Sequence, residues 1–315
     1  MNKTTLISDA LHHLFFCGHL LKLERLFMRD FVIFTDCGCD LSQNIVEEFG
    51  IKVVPMGLIL EDKLYKHYHD YRELTAVDFY QKIRSGMVGT TSGVNIQDAM
   101  NMMREVLEQN VDVLYLSFSS GLSGSYQYAS MAAEELRDEF PDAKIEVIDT
   151  KSACIGLGML VYLAAQKKME GFSFEEVVSF VENTKLKISH NFMVDNLMYL
   201  QKSGRISHLT AMTGSMLGIK PVFTLNNEGK VSSDGKVRGK LAVVKHFIAK
   251  IEENCCDTNV FFIAHADAEI DAINLKNKIL EAHSDAKVII NCVGPILGNC
   301  LGPGALAIVF LSESR

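Results

Sequence analysis

Phe31-Val32-Ile33-Phe34-Thr35-Asp36 is a continuous apolar run that ends in two polar residues. Such a run is typical of a strand buried on both faces, and the polar pair predicts the carboxyl end of a parallel strand. The same pattern returns at Val111–Phe118 and at Ile145–Ile148. Amphipathic helices are predicted between these runs, over Ile96–Gln109 and Tyr126–Phe140. Strands that alternate with helices predict a parallel sheet covered on both faces.

The pattern changes after about Ser189. Strands predicted at Pro221–Leu225 and Lys230–Arg238 flank the turn Asn226–Gly229 and form a hairpin. Further strands are predicted at Asn259–His265, Lys287–Val293 and Ala305–Leu311. A hairpin combined with helical crossovers indicates a mixed sheet.

Length and pattern together predict the domain organisation. A chain of 315 residues is long for a single core, so two domains are expected. We predict an α/β fold with a three-layer α/β/α domain built on a parallel sheet over residues 30–188. A smaller α/β domain with a mixed sheet is predicted over residues 189–315. Residues 1–29 form an extension with helical leucine spacing, which is a docked helix, a partner-binding segment, or the product of a start placed upstream of Met28.

Charge and composition exclude several classes of function. The formal net charge is −8 and no Lys/Arg-rich run offsets it, which argues against nucleic acid as a partner. Charged residues interrupt the leucine-rich start of the chain, so neither a stable membrane insertion nor a secretory signal is expected.

The cysteines argue against disulfides and metal. Eight are present and none forms a C-x-x-C pair, so reduced thiols in the cytoplasm are the simplest interpretation. Cys37-Gly38-Cys39 and His67-Tyr68-His69 come nearest to zinc-ligand spacing, and neither has a second half. We therefore expect no metal and no cofactor.

Four loops rich in hydroxyls or glycine are the candidate functional regions: Gly89–Gly93, Ser117–Ser125, Lys202–Ser207 and Gly294–Gly304. The second packs five serines and two glycines ahead of a predicted helix, which suits a carboxylate or a phosphate. A capped turn explains the same residues without any ligand. Arg205 in the third loop could bind an anion or serve in a surface ion pair.

Common catalytic and nucleotide-binding motifs are absent from these loops. Gly121-Leu122-Ser123-Gly124-Ser125 is one residue away from the nucleophile motif G-x-S-x-G. No Gly-Lys-Ser/Thr follows a glycine-rich turn, and Gly156-Leu157-Gly158 lacks the third glycine of a dinucleotide fingerprint. Nothing in the sequence marks a catalytic residue.

Taken in order, the loops resemble those of the DegV family of bacterial lipid-binding proteins, which includes the fatty-acid-carrying partners of fatty acid kinase. The resemblance extends from about Phe31 to Phe310. Its motifs are Thr35-Asp36, Gly89-Thr90-Thr91-Ser92, residues 119–127, Asp149-Thr150-Lys151-Ser152, residues 200–206, Gly218-Ile219-Lys220-Pro221 and Gly302-Pro303-Gly304-Ala305.

The resemblance implies a non-catalytic carrier in which a long-chain fatty acid occupies an apolar tunnel. Its carboxyl group would be held by loop hydroxyls, here those of Thr90, Thr91, Ser92, Ser119 and Ser120, with Thr91 and Ser120 favoured. Arg205 and Cys300 would lie at the mouth. The implied partner is a fatty acid kinase that phosphorylates the bound lipid.

Two departures from the family pattern affect this expectation. Gly93-Val94-Asn95 stands where the family usually has Gln-Pro-Ser, and Cys300 takes the place of a histidine. A thiol donates a hydrogen bond weakly compared with an imidazole, so the resemblance supports carboxyl binding better than phosphoryl transfer.

Two other functions fit the same residues. A small-substrate phosphotransferase would need an open polar cleft and a base, for which Asp36, Asp149 and His208 are candidates. A regulatory protein that responds to a bound lipid is indistinguishable in sequence from a carrier.

Overall fold

Strands alternate with helices throughout residues 29–206 and 218–315, the part of the chain that the computed structural model describes. The strands are β1 (Phe31–Asp36), β2 (Lys52–Val54), β3 (Met56–Leu60), β4 (Lys63–His67), β5 (Thr90–Val94), β6 (Asp112–Ser117), β7 (Ile145–Asp149), β8 (Ile188–Met193), β9 (Ile219–Leu225), β10 (Val231–Arg238), β11 (Cys255–His265), β12 (Lys287–Cys292) and β13 (Leu306–Ser312). The α-helices are α1 (Gln43–Glu48), α2 (Ala76–Arg84), α3 (Ile96–Leu107), α4 (Ser125–Glu139), α5 (Cys154–Met169), α6 (Phe174–Thr184), α7 (Leu197–Lys202), α8 (Lys240–Asn254), α9 (Glu269–Ala282) and α10 (Pro295–Leu301).

Two larger sheets confirm the predicted α/β fold with a parallel and a mixed sheet. The first has the order β2-β1-β6-β7, and all of its strand pairs are parallel. The second has the order β10-β9-β8-β13-β11-β12, in which only β11 and β12 pair in parallel. The helices predicted at residues 1–29 lie outside the described residues.

A third, small antiparallel sheet of order β4-β3-β5 was not predicted. Residues 51–60 were expected to form one strand, but Pro55 divides them into β2 and β3, which join different sheets. Proline has no N–H to donate to a ladder, so the chain changes partner there. The expected loop Gly89–Gly93 is also wrong, because Thr90–Val94 pairs with β3.

The glycine-rich segment 294–304 was expected to be a loop and instead contains α10. Pro295 is the first residue of this helix, where its missing N–H removes no hydrogen bond. Gly302 ends the helix with a φ of 72°, a conformation that favours glycine. The ring of Tyr199 packs on Gly302 and leaves no room for a side chain there.

Helix α5 lies between the two larger sheets and contacts strands of both. Its apolar side chains are buried on every side, as expected for a helix enclosed by protein. Two glycines allow close packing: a Cβ on Gly156 would lie 2.0 Å from His190 Nε2, and one on Gly158 would lie 2.5 Å from the Cys39 carbonyl oxygen. The main core is continuous across both sheets.

The loop after β6 and the β9–β10 hairpin form a second contact between the domains. Ser119 Oγ donates a 2.8 Å hydrogen bond to the Gly229 carbonyl, and a Cβ on Gly121 would lie 2.6 Å from the Glu228 carbonyl oxygen. Arg315 also bridges the domains, donating to Asn226 and to carbonyls at the start of β8 and before it. Loop conformation and domain packing are therefore coupled.

Replacing Gly229 with alanine tests this contact. The new methyl group would lie 2.0 Å from Ser119 Oγ, at a φ of +71°. We expect the free energy of unfolding to fall by about 3 kcal/mol, from left-handed strain and overpacking together. In the matched control Gly50→Ala, at φ +62° with nothing within 4 Å, only the strain remains. Urea denaturation showing equal losses in both variants would contradict the proposed contact.

Candidate functional site

An apolar tunnel runs between the first domain and the inner face of the second sheet, with about 880 Å³ of unfilled space, open solvent included. Its wall combines residues from both domains. The apolar lining consists of Met56, Phe118, Leu122, Ala153, Ile155, Phe192, Leu200, Leu225, Val231, Ile296, Leu297, Leu301, Ala307 and Val309. A cavity of this composition suits a long apolar ligand.

Polar groups gather at one part of the wall, which we call the mouth: Thr91, Ser92, Ser123, Arg205 and Cys300. The hydroxyls of Thr91 and Ser203 lie within hydrogen-bonding reach of the Cys300 thiol. Burial raises the pKa of Cys300, and the nearby Arg205 charge and the two hydroxyls oppose that rise. The mouth thus combines one cation with several neutral donors, as an anionic head group requires.

Arg205 is half-buried and held by backbone carbonyls. Its Nη1 donates to the Ser203 carbonyl at 2.5 Å and its Nε to the Leu122 carbonyl at 3.4 Å. The ion pairs found within residues 29–206 and 218–315 do not include it. A guanidinium oriented by carbonyls keeps its charge for another anion.

Strand β5 brings two of the predicted hydroxyls to the mouth. Thr91 and Ser92 both line the tunnel, and Ser92 Oγ lies over Gly57, where a Cβ would come within 2.4 Å. Thr90, in the same strand, is exposed and does not line the tunnel. Pairing of β5 with β3 fixes these orientations.

The two serines of the double-serine motif lie outside the tunnel wall. Ser119 is buried and donates to Gly229. Ser120 is exposed, and its Oγ accepts a 2.9 Å hydrogen bond from Lys151 Nζ. Ser123 lines the tunnel instead, 3.0 Å from Ser125 Oγ. Sequence reasoning included Ser123 and Ser203 in candidate loops but could not single them out, because loop hydroxyls carry no periodicity that shows their direction.

The predicted candidate bases are occupied by other contacts. Asp36 is fully buried and accepts 2.5 Å bonds from Tyr115 Oη and the Phe118 amide. Burial raises the pKa of Asp36 to about 6. Burial would also raise the pKa of Asp149, but hydrogen bonds from Lys151 and Ser120 outweigh it and lower the value. His208 lies outside the described residues.

Asp40 is a second buried carboxylate, placed behind the tunnel wall. Its Oδ2 accepts a 3.0 Å hydrogen bond from Cys154 Sγ, and its Oδ1 accepts a 2.8 Å bond from the Gly294 amide. Burial raises the pKa of Asp40 to about 7, and both hydrogen bonds oppose that rise. Cys154 itself lines the tunnel.

Two classes of feature were searched for within residues 29–206 and 218–315. No group of three or more His, Cys, Asp or Glu side chains there could hold a metal ion. No helix in the same ranges is long and apolar enough to cross a membrane.

Fold and tunnel together define a two-domain α/β protein with an enclosed apolar ligand site. The family model described as "uncharacterised protein, DegV family" matches residues 30–313. The chain therefore belongs to the DegV family, which confirms the resemblance inferred from its loops.

Relatives and solved structures agree with this assignment. A DegV domain-containing protein of Clostridium perfringens is 38% identical over 290 residues, covering 91% of this chain and 99% of the relative. The structure "Fatty acid binding of a DegV family protein from Thermus thermophilus" is 30% identical with a TM-score of 0.79, covering 90% of this chain and all of that one. The fatty acid binding DegV family protein of Streptococcus agalactiae is 26% identical with a TM-score of 0.78, covering 91% and 100%.

The raised pKa of Asp40 predicts a pH-dependent stability. Its pKa of about 7 lies above the ordinary 3.8, so its contribution is complete below about pH 4 and is lost as the pH rises through 7. Asp40→Asn removes this dependence. The melting temperature of the wild type relative to the variant should fall between about pH 5 and about pH 8. Thermal unfolding at both ends checks this, and a constant difference would contradict the raised pKa.

Proposed function

We propose that this protein binds one long-chain fatty acid, with the acyl chain in the tunnel and the carboxyl group at the mouth. The observation that carries the proposal is the apolar tunnel ending at hydroxyls and a cation. The fatty acid binding described for the Thermus thermophilus and Streptococcus agalactiae relatives supports it.

The energetics of transfer favour such a ligand. Each buried methylene contributes about 0.8 kcal/mol, so fourteen contribute roughly 11 kcal/mol before entropic costs. The carboxylate needs only hydrogen bonds and partial charge compensation at the mouth. Thr91, Ser92, Ser123 and Arg205 can supply both. Among the hydroxyls expected from sequence, Thr91 and Ser92 are therefore the ones that we propose as carboxyl ligands.

A carrier role is the second part of the proposal. The carboxyl would lie at the mouth, where an enzyme could reach it, and Asp36 and Asp149 are committed to structural hydrogen bonds. A fatty acid kinase as partner stays a prediction, which acyl phosphate formation with added kinase and ATP would test. The phosphotransferase alternative expected an open polar cleft with a base, and the tunnel is mostly apolar.

Substitutions at the mouth test the carboxyl site. Thr91→Val should weaken fatty acid binding by up to about tenfold through loss of one neutral hydrogen bond, and Arg205→Gln by about tenfold or more. Ser120→Ala is the control, since Ser120 is exposed and bonds to Lys151. Binding is measured by titration of delipidated protein with palmitate. A loss in Ser120→Ala alone would place the carboxyl at the double-serine loop instead.

Filling the tunnel tests the acyl-chain site independently of the mouth. Ala307 of β13 lines the tunnel, so Ala307→Phe should exclude palmitate while leaving the mouth unchanged. Mass spectrometry of lipid extracted from the denatured protein should find fatty acid in the wild type, and shorter chains or none in the variant. The same lipid in both proteins would show that the chain lies elsewhere.

A further inference from the structure

Cys154 is the only thiol besides Cys300 among the residues that line the tunnel. We propose that Cys154 captures fatty acids that carry an α,β-unsaturated carbonyl group, forming a covalent thioether with Asp40 as the base. This inference rests on the proposed function, because the tunnel must first admit the acyl chain.

The position of Cys154 suits a nucleophile. It is the first residue of α5 and has a φ of 52°. Part of its surface remains exposed, and the residue belongs to the tunnel wall. Its Sγ is 3.0 Å from Asp40 Oδ2. Thiol and base are thus in contact before any ligand enters, as nucleophile activation requires.

The electrostatics separate the thiol from the base. Burial, followed by the Asp40 charge, raises the pKa of Cys154 well above its ordinary value, so the resting group is a thiol. The pKa of Asp40 is about 7, and such a carboxylate can both accept and return a proton near neutral pH. The amide of Ile155 favours the thiolate as it forms.

Helix α5 can stabilise the oxygen that becomes negative. Ala153 caps the helix with no side-chain hydrogen bond, which leaves the first amide N–H groups of the 16-residue helix without that partner. These amides and the positive end of the helix dipole lie beside Cys154 and can face an enolate oxygen.

His67 is an independent sign that this region accommodates another group. It is 5% exposed, and its Nδ1 has no hydrogen-bond partner within the described ranges. A Cβ on Gly294 would lie 2.5 Å from His67 Nε2 and 2.8 Å from Asp40 Oδ1, so the imidazole is aimed at the same point as the carboxylate. Burial lowers the pKa of His67 to about 4, so the ring is neutral. A buried polar atom without a partner is rare.

The reaction balances without an oxidant or a second substrate. The Cys154 S–H proton moves to Asp40 as the sulfur forms a bond to the β-carbon of the enone. The electron pair of the C=C bond moves to the α-carbon and the carbonyl oxygen as an enolate. Asp40 then returns the proton to the α-carbon, which leaves a saturated ketone attached through a thioether.

The experiment uses delipidated full-length protein and octadecenoic acids with a ketone conjugated to the double bond. Intact mass and peptide mapping should locate one adduct on Cys154, and excess palmitate should suppress it. Cys154→Ser should give no adduct there. Asp40→Asn should slow the reaction by about a hundredfold. Cys256→Ser is the matched control, because Cys256 is exposed and its loss should leave the Cys154 adduct unchanged.

The outcomes separate the two proposals. Palmitate binding without any Cys154 adduct would overturn this inference and leave the proposed function intact. Absence of both would overturn the proposed function. An adduct that palmitate does not suppress would remove the tunnel from the mechanism. An unchanged rate in folded, palmitate-binding Asp40→Asn would remove Asp40 as the base.

Discussion

The packing of α5 between the two larger sheets is the constraint on which the rest of the structure depends. The helix is apolar on every side, so it must be covered on every side. Neither sheet could do this alone, because a sheet presents one face to a helix. The two domains therefore share one continuous core. Gly156 and Gly158 set how closely the second sheet and the loop after β1 approach.

The tunnel follows from the same packing. Residues at the start of α5, from Ala153 to Ile155, line it together with α10 and the inner face of the second sheet. His190 also belongs to this wall, and burial lowers its pKa far enough to keep the ring neutral. A long apolar chain therefore meets few charges inside, and the one cation of the wall, Arg205, lies at the mouth.

Buried carboxylates connect the tunnel to the scaffold. Asp36 holds the loop that carries Phe118 into the tunnel wall. Asp40 joins Cys154 at the start of α5 to Gly294 before α10. Each carboxylate fixes a chain segment that would otherwise present unpaired amides to the core. The cost is a raised pKa, which makes both positions sensitive to pH and gives Asp40 the chemistry of a base.

The sequence by itself determined the parallel sheet, the mixed sheet and the family, because apolar period and loop motifs are local properties of the chain. It could not show that Pro55 ends one strand and begins another sheet, or that Thr90–Val94 pairs with β3. Tertiary structure alone decided that Thr91 lines the tunnel while Ser120 bonds to Lys151. It alone brought Cys154 to Asp40, 114 residues away. The direction of a hydroxyl or a thiol depends on which distant backbone it packs against, and no local pattern records that.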